Sequence, residues 1–129
     1  MLPPAYRADR KLLHELFSRD GRTKYRQQRL RGALVDISLV SYPSSQPKTA
    51  FIVSAKAAPL AVDRNRIKRR ARAVVSKFQK SLPAGHVFIF QMNKSAITTS
   101  FEDLERDILS LLSPHLLLPT HYSLLTTHY

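Results

Sequence analysis

The apolar positions of the chain change between helical and strand spacing, and these changes divide it into elements. A stripe at helical spacing from Leu12 to Phe17 predicts a first helix, with Asp9 as its N-cap and Gly21 at its end. The polar and basic stretch 21–32 that follows is compatible with either a mobile loop or a short edge strand. The chain therefore begins with a helix that carries one apolar face.

Three later stretches have the patterns of strands. Residues 33–41 and 49–56 alternate apolar with other side chains, as expected of strands with one buried face. The two prolines and two serines of 42–47 separate them, and we expect an antiparallel hairpin with a long turn. Residues 86–92 are nearly all apolar, which indicates a strand buried on both faces.

Residues 61–80 predict an amphipathic helix between the second and third of these strands. A strand, a helix and a strand in this order favour a parallel strand pair joined by the helix. Asp63 is the candidate N-cap, and Arg64 is expected in the turn before the helix, because helical geometry aims it at the apolar stripe. That stripe is about 100° wide and consists of Ile67, Ala71, Val74, Val75 and Phe78.

A last helix is predicted after Ser100, its candidate N-cap, with Asp103 completing a near capping box. The carboxylates of Asp103 and Asp107 share a face of this helix, and we expect them to be solvated surface groups. The segment 114–129 is apolar and aromatic without a clean period. It either folds back onto the domain or contacts a partner, so residues 1–113 are taken as the domain.

Charge is concentrated in two parts of this 129-residue chain, whose net charge is +12. Residues 1–32 hold nine of the 21 Lys and Arg side chains, and residues 61–80 hold eight. A solvated helix face usually mixes both signs, because like charges three or four residues apart repel by about 0.2–0.5 kcal/mol per pair. The helix instead places Arg66 beside Arg70 and Lys68 beside Arg72. This arrangement predicts a site for a polyanion.

Composition excludes several classes of protein. With no cysteine there is no disulfide, iron–sulfur cluster or cysteine-based zinc site, and the five histidines show no metal-ligand spacing. The carboxylates are scattered and only three glycines are present, so neither a catalytic group nor a glycine-rich phosphate loop is recognisable. We find no signal peptide, no membrane-spanning run and no helix-turn-helix for DNA. A single cytoplasmic domain with no membrane or DNA partner is expected.

The sequences Phe51–Lys56 and Ala61–Arg70 are similar to a motif pair in the protein subunit of bacterial ribonuclease P. That family joins a Val-Ser-Lys-Lys strand end to an Ala-Val-x-Arg-Asn-Arg-Ile-Lys-Arg helix start, and the second piece is matched without a gap. The resemblance covers about residues 4–113. It departs from the family at Ala55, which stands for a Lys, at Leu13, which stands for an aromatic residue, and before Phe51, where a Gly is missing.

This resemblance implies an α+β single-domain sandwich. The family has a mixed four-stranded sheet and three helices in the order α-β-β-β-α-β-α, as in the second domain of ribosomal protein S5. Its β-α-β crossover is left-handed, which replaces the general right-handed expectation.

The resemblance also implies a function in which the protein binds RNA and the RNA partner is the catalyst. The family binds the catalytic RNA of ribonuclease P and the 5′ leader of precursor tRNA, and Mg²⁺, bound mainly by the RNA, supports hydrolysis. The leader site implied here consists of Phe17, Ser54 and Lys56. A structural RNA-binding protein of ribosomal type, without a role in cleavage, is the alternative. The predicted RNA-binding residues are Arg64, Asn65, Arg66, Lys68, Arg69, Arg70 and Arg72.

Overall fold

The structure, a computed structural model, describes residues 7–116. Its elements follow the order implied by the resemblance, except that the first helix is broken into two. Within this range, short 3₁₀ helices lie at Gln79–Ser81, Lys94–Ile97 and Ser113–His115. The main elements are α1 (Arg10–Phe17), α2 (Arg19–Lys24), β1 (Gln27–Arg31), β2 (Val35–Ser41), β3 (Lys48–Val53), α3 (Ala61–Ser76), β4 (His86–Met92) and α4 (Phe101–Leu112).

The four strands form one mixed sheet in the order β1-β2-β4-β3. The expected hairpin of β2 with β3 is wrong, because β2 pairs antiparallel with β1 and β4. The polar stretch 21–32, for which a loop or an edge strand was expected, supplies the end of α2 and then the edge strand β1. The parallel pairing of β3 with β4 is confirmed. Because β4 is apolar on both sides, it takes a central position where both of its faces are covered.

Helices cover both faces of the sheet. On one face, α3 and α4 enclose the larger core, in which Ile37, Phe88 and Phe90 meet Ile67 and Ile108. On the other face, α1 packs Leu12 and Leu16 against a smaller cluster that contains Val40, Ala50, Val87 and Ile89. The α+β sandwich is confirmed, and the handedness of the β3-α3-β4 crossover stays a prediction.

The first helix does not end at Gly21 as expected. Asp9 caps it as predicted, its Oδ1 accepting the N–H of Leu12 at 2.8 Å, but α1 stops at Phe17. Ser18 then caps α2, its Oγ accepting the N–H of Gly21 at 3.1 Å. Gly21 lies inside α2, so close to α1 that a Cβ would overlap the Glu15 carbonyl oxygen. The glycine is needed for close approach of two helices.

A tyrosine pair fastens the end of α1 to the sheet. The hydroxyl of Tyr25 donates to Oε1 of Glu15 at 3.0 Å, and its ring lies 5.2 Å from that of Tyr42. Burial and then the Glu15 carboxylate raise the pKa of Tyr42 above its ordinary 10.0.

The last helix follows the prediction at its start and differs near its end. The Oγ of Ser100 caps α4 by accepting the N–H of Asp103 at 3.1 Å. Asp107, however, is not a freely solvated carboxylate, because it accepts hydrogen bonds from the β1–β2 turn. Of the segment 114–129, Pro114 and His115 belong to the last 3₁₀ helix and Leu116 is buried in the larger core, whereas residues 117–129 lie outside the described residues.

Candidate RNA interface

The start of α3 differs from the prediction at two residues. The helix begins at Ala61, so Asp63 lies in its first turn and is not the N-cap; Leu60 occupies that position without a side-chain hydrogen bond. Asp63 instead pairs with Arg66, three residues later, at 3.2 Å. Arg64 is inside the helix, where its side chain turns back along the preceding segment. Its Nη1 donates to the carbonyl oxygens of Ala58 at 2.8 Å and Pro59 at 2.9 Å.

The outward face of α3 is centred on Asn65 and Arg69. Both are exposed, and neither forms a hydrogen bond or ion pair within residues 7–116. Lys68, at one side of this face, is half-buried and has no ion-pair partner in the same part of the chain. Arg66 keeps 43% of its side chain exposed although it pairs with Asp63. Lys68 and Arg69 thus give the solvent a cationic surface that no ion pair within residues 7–116 neutralises, and Arg66 beside it is paired with Asp63.

Cations at the borders of this face bind other parts of the protein. On the α4 side, Nη1 of Arg70 donates to the Thr99 carbonyl oxygen at 3.3 Å. On the β3 side, the guanidinium of Arg72 lies 5.7 Å from the centre of the Phe51 ring. Because a guanidinium has five donor hydrogens, these contacts orient the two arginines and leave further donors available.

The predicted leader residues lie on two elements. Phe17 is the last residue of α1 and is 37% exposed. Ser54 and Lys56 are exposed in the turn that follows β3. This turn is closed by two bonds to Ser54, whose Oγ accepts from Ala57 N at 3.0 Å and whose carbonyl accepts from Ala58 N at 2.9 Å. Arg64 binds the next residues, so the turn is held against the start of α3.

The sequence did not identify the open part of the sheet face on the α1 side. The helix α1 covers Val40, Val87 and Ala50. The side chains nearer the C-terminal ends of β3 and β4 are only partly covered. Alternation within the strands could have predicted these partly covered side chains only once the strand order was known, because the register decides which polar residues are neighbours. The partly or fully exposed side chains on this part of the sheet face are Asp36, Ser38, Ile52 and Gln91.

Within residues 7–116, no three His, Asp or Glu side chains converge as a metal site requires. Likewise, none of the helices described is both long enough and apolar enough to cross a membrane.

Comparison with known proteins agrees with the fold and the motif. A family model described as Ribonuclease P matches residues 18–115. The chain belongs to the ribonuclease P protein family. Within it, the ribonuclease P protein component of Syntrophomonas wolfei is 31% identical over 85 residues, which cover 66% of this chain and 71% of that protein.

Solved structures of the family show the same fold. The ribonuclease P protein of Staphylococcus aureus aligns with a TM-score of 0.65 at 16% identity, covering 83% of this chain and 92% of that chain. A mutant of the S. aureus protein with defective mRNA degradation activity aligns with a TM-score of 0.67 at 17% identity, covering 84% of this chain and 86% of that chain. The Thermotoga maritima protein aligns with a TM-score of 0.60 at 18% identity, covering 67% of this chain and 81% of that chain.

Proposed function

We propose that this chain is the protein subunit of a ribonuclease P and that the exposed face of α3 binds the catalytic RNA. The observation that carries the proposal is the cationic surface formed by Lys68 and Arg69, for which the described residues supply no ion-pair partner. Lys and Arg side chains of this kind neutralise phosphates and release counterions. Membership of the family supports ribonuclease P RNA as the polyanion.

The proposed substrate is precursor tRNA, whose 5′ leader is removed. Exposed Phe17 offers a ring on which an unpaired base stacks, a contact that contributes about 1–3 kcal/mol. Lys56 supplies a charge for a leader phosphate, and Ser54, already fixed by its turn, has a hydroxyl hydrogen to donate. The three residues contribute stacking, charge and a hydrogen bond without reading a base sequence.

We assign catalysis to the RNA partner and Mg²⁺. Three carboxylates have structural contacts: Asp63 pairs with Arg66, Glu105 with Lys77 at 2.6 Å, and Asp107 with backbone amides. The protein's own residues bind and orient RNA in this proposal, and Mg²⁺ is held mainly by RNA. The proposed compartment is the cytoplasm, where both RNA partners are made.

Replacing Arg69 tests the proposed interface. Arg69→Ala should weaken binding to ribonuclease P RNA about fivefold, since a charge-assisted contact contributes about 1 kcal/mol. The matched control is Arg106→Ala, which removes an exposed arginine from α4 and should change the dissociation constant little. Titration of each variant at constant salt measures the effect. Equal affinities for the two variants would show that the exposed face of α3 is not the RNA interface.

A further inference from the structure

Two arginines of β1 point onto the same sheet face as the proposed leader site. Arg29 is paired with Ser38 and Arg31 with Asp36 in the antiparallel register. Directly paired residues share a face, and Asp36, Ser38 and Val40 alternate together toward the α1 side. Leu30, between the arginines, packs against the opposite core, which agrees with this assignment.

Arg31 continues a row of side chains that crosses the whole sheet, and Arg29 lies in the next row on the same face. The register aligns Arg31 with Asp36, Gln91 and Ile52, in the order β1, β2, β4, β3. Two residues beyond Ile52 is Ser54, the first residue of the turn that carries Lys56. Three strand spacings separate β1 from β3, a distance of about 14 Å. The exposed row therefore connects the turn after β3 with the opposite edge of the sheet.

The charges of Arg29 and Arg31 are available for a ligand. Both residues are exposed, and neither forms an ion pair or hydrogen bond with the described part of the chain. Asp36 stands opposite Arg31 in register, but no ion pair joins them in the structure. The helix α3 packs on the other face of the sheet, so its cations and these arginines lie on different sides of the molecule.

We propose that Arg29 and Arg31 bind phosphates of the single-stranded 5′ leader where it leaves the sheet across β1. The inference rests on the proposed function and extends the leader site to the far edge of the sheet. The row contains no aromatic side chain, so contacts at this edge go to the RNA backbone and do not depend on base sequence. Leaders that reach β1 gain affinity from it, and shorter leaders do not.

Leader length tests this proposal in the complex of the protein with ribonuclease P RNA. Two precursor tRNAs are compared, one with a leader of a single nucleotide and one with about ten nucleotides, within the usual size of single-strand sites. The dissociation constant of the short-leader substrate divided by that of the long-leader substrate measures the leader contribution. Combining Arg29→Ala with Arg31→Ala should reduce this ratio about tenfold and lower the salt slope for the long leader by about 1.4, at about 0.7 per phosphate contact.

Two further variants sharpen the result. Asp36→Asn removes a negative charge from the row and should increase the ratio, whereas Arg106→Ala, on α4, should leave it unchanged. A wild-type protein that binds both substrates equally would overturn leader binding itself. A normal wild-type ratio that survives loss of both arginines would overturn this inference alone. Weaker binding to the catalytic RNA with an unchanged ratio would assign the arginines to that RNA and contradict the proposal.

Discussion

Arg64 and Arg69 lie on the same helix, and their sequence context predicts the same role for both, but their surroundings differ. Arg69 is exposed without a partner in the described residues, whereas Arg64 donates to two carbonyl oxygens, at 2.8 and 2.9 Å. Arg64 is therefore a positioning residue for the segment that precedes α3. We therefore expect it to influence RNA binding through the turn that carries Ser54 and Lys56.

This difference predicts distinct consequences for the two arginines. Arg64→Ala should release the preceding segment, accelerate amide hydrogen exchange at Ala57 and Ala58, and reduce the free energy of unfolding by about 1 kcal/mol. Arg69→Ala should leave both the exchange rates and the stability unchanged. Hydrogen exchange of the protein without RNA measures the effect, and unchanged protection in Arg64→Ala would contradict the positioning role.

At the scale of elements, α4 and the β1–β2 hairpin are joined by one carboxylate. Asp107 accepts hydrogen bonds from the backbone amides of Ala33 at 3.3 Å, Leu34 at 2.9 Å and Val35 at 3.1 Å. Gly32 lies so close to this carboxylate that a Cβ there would stand 2.7 Å from Oδ2. The contact fixes the turn that leads into β2, and with it the register that places Arg29 and Arg31.

Asp107→Ala should destabilise the domain by about 2 kcal/mol, because three amides lose a charged acceptor. The expected decrease in Tm is about 8 °C for a domain of this size. Asp103→Ala is the matched control, since that carboxylate is exposed and its ion pair within residues 7–116 is with Arg106 on its own helix. Thermal unfolding of both variants decides the point, and equal values of Tm would mean that Asp107 is an ordinary surface residue.

The sequence predicted the secondary-structure elements better than it predicted which elements lie next to each other in the fold. Period-two alternation identified which residues of β2 and β3 face a core, but it carries no information on which strands pair, so the expected hairpin was wrong. The prediction that Asp63 caps α3 was also wrong. It rested on a local capping preference, whereas in the structure Asp63 forms an ion pair with Arg66. The open sheet face depends on register between distant strands, so the sequence pattern could not reveal it.

At the scale of the whole molecule, the sandwich separates the two cationic regions seen in the sequence. The cations of α3 lie on one side of the sheet, and Arg29 and Arg31 of β1 project from the other. A net charge of +12 attracts RNA from any direction, but the layers decide which segment meets which surface. This separation agrees with the proposed role, in which the protein binds catalytic RNA and substrate at the same time.

The central claim is tested most directly by cleavage of precursor tRNA by bacterial ribonuclease P RNA at low Mg²⁺, with and without this protein. We expect the protein to increase the rate of cleavage at the 5′ end of the mature tRNA, because its cations offset repulsion between the two RNAs. The protein alone should cleave nothing. Binding of the protein to the RNA with no change in the cleavage rate would contradict the account and favour a structural RNA-binding protein.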